Sequence, residues 1–308
     1  MTYKDTEAWL LVRAAAQIVR SDRPPKQGER YAFDGKTLTP ARTGVPPILA
    51  FDDGWHSLLP PSDPRQVCLD LYLPLLGPHV NAPFVLAQLG QSLDGCIATA
   101  NGDSHFVTGP ASITHLHCLR ALSDCVIVGA GTVAADNPRL TTRLVSGPNP
   151  VRVVLDPGLR LPISHEIFSD SAAPTLRVRA RGVPLPPERT SDNIEDLEID
   201  APSGQLDLHA LLAELWSRGM RTILVEGGGL TVSRFLAAHL IDRMHIVVAP
   251  FVIGEGRPGL RVPSAPRLQD CLRPSPRVYA LGNDILFDCD MRCHCPPDDA
   301  SSVIRRIL

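Results

Sequence analysis

A membrane-spanning helix needs about 20 consecutive apolar residues, and nothing in this chain of 308 residues approaches that length. The first apolar run, Trp9 to Val12, is cut off by Arg13 and is too short for the core of a secretion signal. A cytosolic location is therefore expected. An excess of one charge is also missing. The 30 basic residues face 33 acidic ones, a net charge of -3, which offers no general attraction to nucleic acid or to an anionic membrane. Lysine is scarce, and none occurs after Lys36, so any cation needed in the main body must be arginine or histidine. Without a secretory signal, the eight cysteines read as reduced thiols and not as a disulfide framework. No internal repeat is visible.

Proline, by contrast, is abundant. Thirty prolines are close to twice the average share of roughly 5%, in clusters such as Pro24-Pro25, Pro60-Pro61 and Pro184 to Pro187, which excludes a helical bundle. The hydrophobic fraction of 44% and charged fraction of 20% belong to a packed globular chain. Residues 1–80 read as an extension: a helix over Glu7 to Val19, a stretch punctuated by proline and glycine from Asp22 to Pro61, and a short element over Val67 to Leu76. A boundary is placed near Asn81-Ala82-Pro83, with the main domain over 81–295 and a tail over 296–308.

Within the main domain strands and helices alternate, the pattern of an α/β fold with a largely parallel sheet covered on both faces. Strands are expected at Phe84–Leu89, Cys125–Val128, Val151–Leu155, Thr222–Val225 and Met244–Val248, with a terminal pair at Arg277–Ala280 and Ile285–Asp288. Helices are expected at Ser112–Leu122, Leu206–Arg218 and Thr231–His239. The segment between Asp156 and Leu206 reads as loop.

Two glycine clusters follow buried strands. Gly129-Ala130-Gly131-Thr132-Val133-Ala134 has the G-x-G-x-x-A spacing of a dinucleotide fingerprint, and Asp156 ends the next strand as a candidate ribose ligand. Glycine suits this task because a Cβ would hold a phosphate away from backbone N–H groups. Asp136-Asn137-Pro138 should stop the helix that a long Rossmann crossover requires. The second cluster, Glu226 to Gly229, opens a helix whose first N–H groups attract anions. Turns of adjacent strands can hold the two halves of a diphosphate, and tight strand-to-helix turns without any ligand have the same signature. Polar loops at Ser92 to Gly95, Gly102 to Gly109 and Asp136 to Arg143 fall where an α/β sheet gathers its ligand contacts. Arg143 can take a phosphate bidentately, or be a solvated surface arginine.

Taken in order, Phe84 to Gly95, Gly102 to Gly109, Leu119-Arg120, Val128 to Thr132, Asp136 to Arg143, Val151 to Asp156, Leu224 to Gly229 and Ala249-Pro250 resemble the reductase domain of riboflavin biosynthesis, over roughly residues 83–290. The resemblance implies a dihydrofolate-reductase-like three-layer fold. It also implies NADPH as cofactor, a homodimer, and reduction of the ribosylamino chain of a 5-amino-6-(5-phosphoribosylamino)uracil to a ribitylamino chain. By motif match, Ser104, Arg120, Asp136, Arg143 and Glu226 would contact the phosphorylated sugar. Thr108, Gly129, Gly131, Thr132, Asp156, Gly227, Gly228 and Gly229 would line the cofactor, with Arg160 at its 2′-phosphate. Asp94 and Glu226 are the carboxylates to test as proton donors.

The His-x-Glu and Pro-Cys-x-x-Cys motifs of a zinc deaminase are absent, so residues 1–80 are not the deaminase half of a bifunctional enzyme. The residue after Ser92-Leu93-Asp94-Gly95 is Cys96, where the family carries Lys or Arg near cofactor and substrate. That departure leaves open a pterin or another pyrimidine as substrate, or a binding protein without turnover. Cys289, Cys293, His294 and Cys295 have zinc-ligand chemistry but no second ligand pair at regular spacing, and read as structural. His115 and His117, two apart on a helix, face different sides.

Overall fold

The computed structural model describes residues 6–77, 79–105, 107–185 and 193–294. Helix α1, Glu7–Val19, starts where the Thr6 hydroxyl accepts a hydrogen bond from Trp9 N, and it buries Trp9, Leu11, Val12 and Ala15 along one stripe. The stretch that follows is not the loop its prolines and glycines imply. Strands β1 (Glu29–Phe33), β2 (Leu38–Pro40), β3 (Leu49–Phe51) and β4 (Trp55–Ser57) form an antiparallel sheet in the order β2-β1-β3-β4. Three of these strands have only three residues each, too few for a periodicity to show. Helix α2, Gln66–Tyr72, then leads through a 3₁₀ turn, Leu73–Leu75, toward the main sheet.

The main sheet opens with β5, Phe84–Ser92, followed by the short β6, Cys96–Ala98. Helix α3, Pro110–Leu122, begins with proline at its first position, where a missing N–H costs nothing. Strand β7, Cys125–Gly129, feeds α4, Ala130–Asp136, only seven residues long. Asn137, in the left-handed region at φ 43°, and Pro138 end it, as the sequence requires. Next come β8 (Val151–Leu155), α5 (Glu166–Ser169), β9 (Thr175–Ala180) and β10 (Ile194–Ile199). The last two are parallel strands at one end of the main sheet, in a stretch expected to be loop. Helix α6, Leu208–Ser217, begins two residues later than expected because Asp207 caps it, its carboxylate accepting from His209 N and Ala210 N. Strand β11 (Thr222–Glu226), α7 (Gly229–Ala237), β12 (Arg243–Ala249), β13 (Arg257–Pro258), β14 (Pro274–Leu281) and β15 (Asp284–His294) complete the chain.

Nine strands align in the order β10-β9-β8-β7-β11-β5-β12-β15-β14, parallel as far as β12 and antiparallel through β15 and β14. Alternate residues of β5 divide between two cores. Phe84 and Leu86 pack with α1, α2 and α3, whereas Val85, Ala87 and Leu89 pack with α6 and α7. The mostly parallel central sheet flanked by helices is therefore present, and the N-terminal elements share the core of its α3 face. Among the described residues, no helix is long and apolar enough to cross a membrane.

A buried hydrogen-bond chain joins the N-terminal elements to the sheet. Tyr72 Oη lies 2.9 Å from His115 Nδ1, His115 Nε2 lies 3.1 Å from His245 Nδ1, and His245 Nε2 lies 3.1 Å from Asp288 Oδ1. Burial alone would raise the Asp288 carboxyl, but hydrogen bonds from His245 and Arg243 hold it well below the usual carboxylate range. It is thus an acceptor only, which fixes every donor in turn. His245 donates from Nε2, His115 donates from Nε2 to His245, and Tyr72 donates to His115. Burial drives both imidazoles below the ordinary histidine value, in keeping with neutral rings. His117, two residues along, faces elsewhere and accepts from Arg143 N at 2.9 Å.

Cys289 is buried in β15, and Cys295 lies outside the described residues.

Candidate active site

Strands β7 and β11 are hydrogen-bonded neighbours, with Val225 opposite Ile127, so the two glycine turns emerge side by side. Thr132 ties them together: its hydroxyl accepts from Gly228 N at 2.8 Å. Gly227 needs glycine for its φ of +106°, and a Cβ on Gly129 would fall 2.4 Å from Thr231 Oγ1. At Gly131, by contrast, a Cβ would meet nothing within 4 Å.

Both turns border a cavity of about 680 Å³ at the carboxyl ends of the parallel strands. Its other walls come from β5 (Gln88, Leu89, Gly90), α3 (Ser112, Ile113, Leu116) and the loop carrying Ser104 and Thr108. The N-terminus of α3 is held by Asp284 of β15, which accepts from Gly109 N at 2.7 Å and from Ser112 Oγ at 2.6 Å. Ser104 and Asp136, 32 positions apart in sequence, meet in the cavity with Ser104 Oγ donating to Asp136 Oδ1 at 2.8 Å. A Cβ on Gly90 would fall 2.6 Å from Thr108 Cγ2, so glycine there lets Thr108 approach the strand end.

Of the residues singled out in the sequence, the structure brings Ser104, Thr108, Gly129, Gly131, Thr132, Asp136, Arg160, Glu226, Gly227, Gly228 and Gly229 to this cavity. Others are placed differently. Arg120 is buried behind Glu226, to which it donates through Nε at 2.9 Å and through Nη2, while its Nη1 donates to Thr141 O at 3.1 Å. Its guanidinium orients Glu226 and leaves little of itself for a phosphate. Arg143 donates to Thr141 Oγ1 at 2.6 Å and lines a neighbouring cavity of about 480 Å³ with Arg139, Thr142 and Glu166. Beside it, burial and the nearby Arg120 and Arg143 push His117 down to about 3.

Three expectations need correction. Asp156 is fully buried, and its carboxylate accepts from Arg160 N at 3.0 Å and Leu161 N at 2.9 Å, so it closes a turn and does not reach a ribose. Asp94 accepts from Ser92 Oγ at 2.5 Å, Gly254 N at 2.7 Å and Ile253 N at 3.1 Å. The Ser92 hydroxyl and those two amides lower its carboxyl to about 2, which makes it a loop anchor and not a proton donor. Cys96 is buried with Sγ 3.5 Å from Gly254 O, turned toward the 253–256 loop while its neighbours Ile97 and Ala98 line the cavity. Position 96 therefore does not present its side chain to the ligand space.

Sequence reasoning missed Gln88, Ser112, Arg234, Arg257 and Arg261, all of which line the cavity. Gln88 carried a signal, because an amide inside the otherwise apolar run Phe84 to Leu89 is out of place in a buried strand. The arginines had none, since they become neighbours only through the fold.

The cavity joins a serine–aspartate pair, a buried carboxylate held by an arginine, and two adjacent glycine turns. The chain is 33% identical over 213 residues to the 2,5-diamino-6-ribosylamino-4(3H)-pyrimidinone 5′-phosphate reductase of Methanothermobacter thermautotrophicus, covering 67% of this chain and 97% of that protein. It is 35% identical over 176 residues to the riboflavin biosynthesis protein RibD of Bacillus amyloliquefaciens, covering 56% of this chain and 47% of that one, so it spans about half of that relative's length. The structure of Acinetobacter baumannii RibD superposes with a TM-score of 0.60 at 28% identity, over 73% of this chain and 62% of that one. The nine-stranded sheet has the dihydrofolate-reductase-like architecture of these reductases. Residues 83–286 match the RibD C-terminal domain, and the chain belongs to that family.

Proposed function

We propose that this chain is an NADPH-dependent reductase that converts the ribosylamino group of a phosphorylated aminopyrimidine of the riboflavin pathway to a ribitylamino group. The observation that carries this reading is the joining of the two glycine turns through Thr132 at the wall of the cavity that also holds the Ser104–Asp136 pair and Glu226. The site fits a dinucleotide because Gly131 brings main chain to the cavity with no protein atom within 4 Å of where a side chain would stand, and the start of α7 lies on the same wall. When bound, the nicotinamide supplies a hydride.

The chain's own residues bind and orient. Gly129, Gly131, Gly228 and Gly229 would cradle the diphosphate, with Thr108 and Thr132 beside them and Arg160 toward the 2′-phosphate. Asp136, oriented by Ser104, accepts hydrogen bonds from sugar hydroxyls, and Glu226, held by Arg120, fixes a second polar group of the opened sugar. Apolar Leu89, Ile113, Leu116 and Val128 restrict water near the reacting carbon. Such positioning supplies several kcal/mol of the barrier reduction, on the order of what aligned intramolecular reactions gain.

The homodimer implied by the resemblance is part of this reading. Val278 and Phe287, opposite each other on β14 and β15 and both exposed, support it.

The test is to mix the chain with NADPH and follow cofactor oxidation on adding 5-amino-6-(5-phosphoribosylamino)uracil or 2,5-diamino-6-ribosylamino-4(3H)-pyrimidinone 5′-phosphate. Turnover of either is the expected result. NADPH binding without oxidation by either compound would point to a different substrate, and no binding would remove the reading.

A further inference from the structure

The residues from Arg257 to Arg261 run along the rim of the cavity as a strap whose backbone is pinned on several sides. β13 pairs with β6, Gly259 N donates to Gly95 O at 2.8 Å, and Arg261 N donates to Ser233 Oγ of α7 at 2.7 Å. At Gly229, the first residue of α7, a Cβ would fall 2.0 Å from the Gly259 carbonyl oxygen, so strap and helix touch backbone to backbone. Gly102 makes a similar concession to the strap. Its φ is +93°, and a Cβ there would fall 2.7 Å from an Arg257 guanidinium nitrogen, so Arg257 packs over the loop that leads to Ser104. The strap is thus ordered chiefly by backbone contacts, with one of its arginine side chains, that of Arg257, packed over Gly102.

Those side chains are uncommitted. Arg257 and Arg261 are exposed, both line the cavity, and among the described residues neither guanidinium has a carboxylate within ion-pair distance. The cavity's own carboxylates do not answer them: Asp136 holds Ser104, and Glu226 is matched by Arg120. Arg160 and Arg234 also line the cavity, so its surface is cationic although the chain as a whole carries -3. Arg120, bound to Glu226, and Arg143, which lines the neighbouring cavity, do not account for this cationic rim.

We propose that Arg257 and Arg261, presented by this pinned strap, clamp a phosphate monoester of a ligand in the cavity and so make binding depend on phosphorylation. The inference rests on the reductase reading, under which two such groups come into question: the 2′-phosphate of NADPH and the 5′-phosphate of the sugar. Guanidinium and phosphate match as bidentate partners, and a backbone fixed in advance lowers the ordering cost of the clamp.

Isothermal titration of the full chain with NADP⁺ against NAD⁺, and with ribose 5-phosphate against ribose, tests it without requiring turnover. Arg257→Ala and Arg261→Ala should each weaken the phosphorylated member of one pair by about tenfold and leave its unphosphorylated partner unchanged. Arg257→Lys should retain part of that affinity, and Arg261→Ala should keep the melting temperature of the parent chain because the strap is held through its backbone. Loss confined to NADP⁺ assigns the clamp to the cofactor, and loss confined to ribose 5-phosphate assigns it to the substrate. If the parent chain binds and the variants bind equally well, the clamp is overturned while the reductase reading stands. If the parent chain binds none of the four probes, the reductase reading falls and the clamp with it.

Discussion

Gly131 separates a ligand contact from a structural glycine within one substitution. It is exposed in α4, its φ is unexceptional, and a Cβ there meets no protein atom within 4 Å. Gly131→Ala should therefore stabilise the fold by up to ~1 kcal/mol, the helix-propensity difference between the two residues. The same methyl group would stand where a diphosphate oxygen has to approach. Affinity for NADPH should fall about tenfold in a titration while the melting temperature rises, and equal affinity would remove the turn from the binding site. Cys96 gives the opposite kind of test. Its side chain packs against the 253–256 loop, where a Cβ on Gly256 would already lie 3.0 Å from Cys96 Cβ. Cys96→Lys should overpack that contact and bury an ammonium, costing about 1–3 kcal/mol. A lowered denaturation midpoint without faster NADPH oxidation is expected, and faster oxidation would show that position 96 does reach the ligand.

At the scale of elements, the hydrogen-bond chain from Tyr72 to Asp288 fastens α2 to α3 and α3 to β12 and β15. Tyr72→Phe leaves His115 Nδ1 buried without its donor and should destabilise by about 1–3 kcal/mol in denaturant unfolding. Made on top of His115→Phe, it should cost much less, because the acceptor is already gone. This chain was not legible in the sequence, since its members are spread over more than 200 positions and share no motif. The parallel strands around the site were legible because runs such as Cys125–Val128 and Thr222–Val225 are short, apolar and followed by glycine. The four-stranded N-terminal sheet was not, since three-residue strands give proline and glycine the louder signal. β9 and β10 were hidden as well: Arg177 and Arg179 in one pair as ions with Asp196 and Glu198 in the other, Glu195 pairs with Arg218, and these charges make both strands read as loop. Within the site, the turns and the Ser104–Asp136 loops were visible from local chemistry. The occupied side of Asp94 and Asp156 was not, because the direction of a carboxylate depends on backbone amides that only the fold supplies.

For the whole molecule, buried histidines set an acid limit, and His79 adds to the three within the fold's core and site. Burial lowers His115, His117 and His245 below the ordinary value of 6.5. Between the folded and unfolded values the unfolded chain binds more protons, so stability rises with pH there and declines as pH drops below about 6.5. The melting temperature should fall between about pH 7 and about pH 5, before most carboxylates titrate. His117→Asn should flatten part of that slope, and a melting temperature independent of pH over this range would mean that the rings take up protons as readily in the folded chain as in the unfolded one. The shared core gives a related expectation for the extension: because α1 and α2 pack on the same face as α3, the N-terminal elements and the sheet should unfold in one transition by calorimetry.

Under the proposed function, two neighbouring glycine turns grip the diphosphate of a pyridine nucleotide and so aim its ring at the sugar carbon. A crystal structure of the chain with NADPH tests it most directly. Diphosphate oxygens should lie within hydrogen-bond distance of main-chain N–H groups from both the 129–132 and the 227–231 turns, with the nicotinamide toward Ser104 and Asp136. A cofactor held by only one turn, or seated outside the cavity, would contradict it.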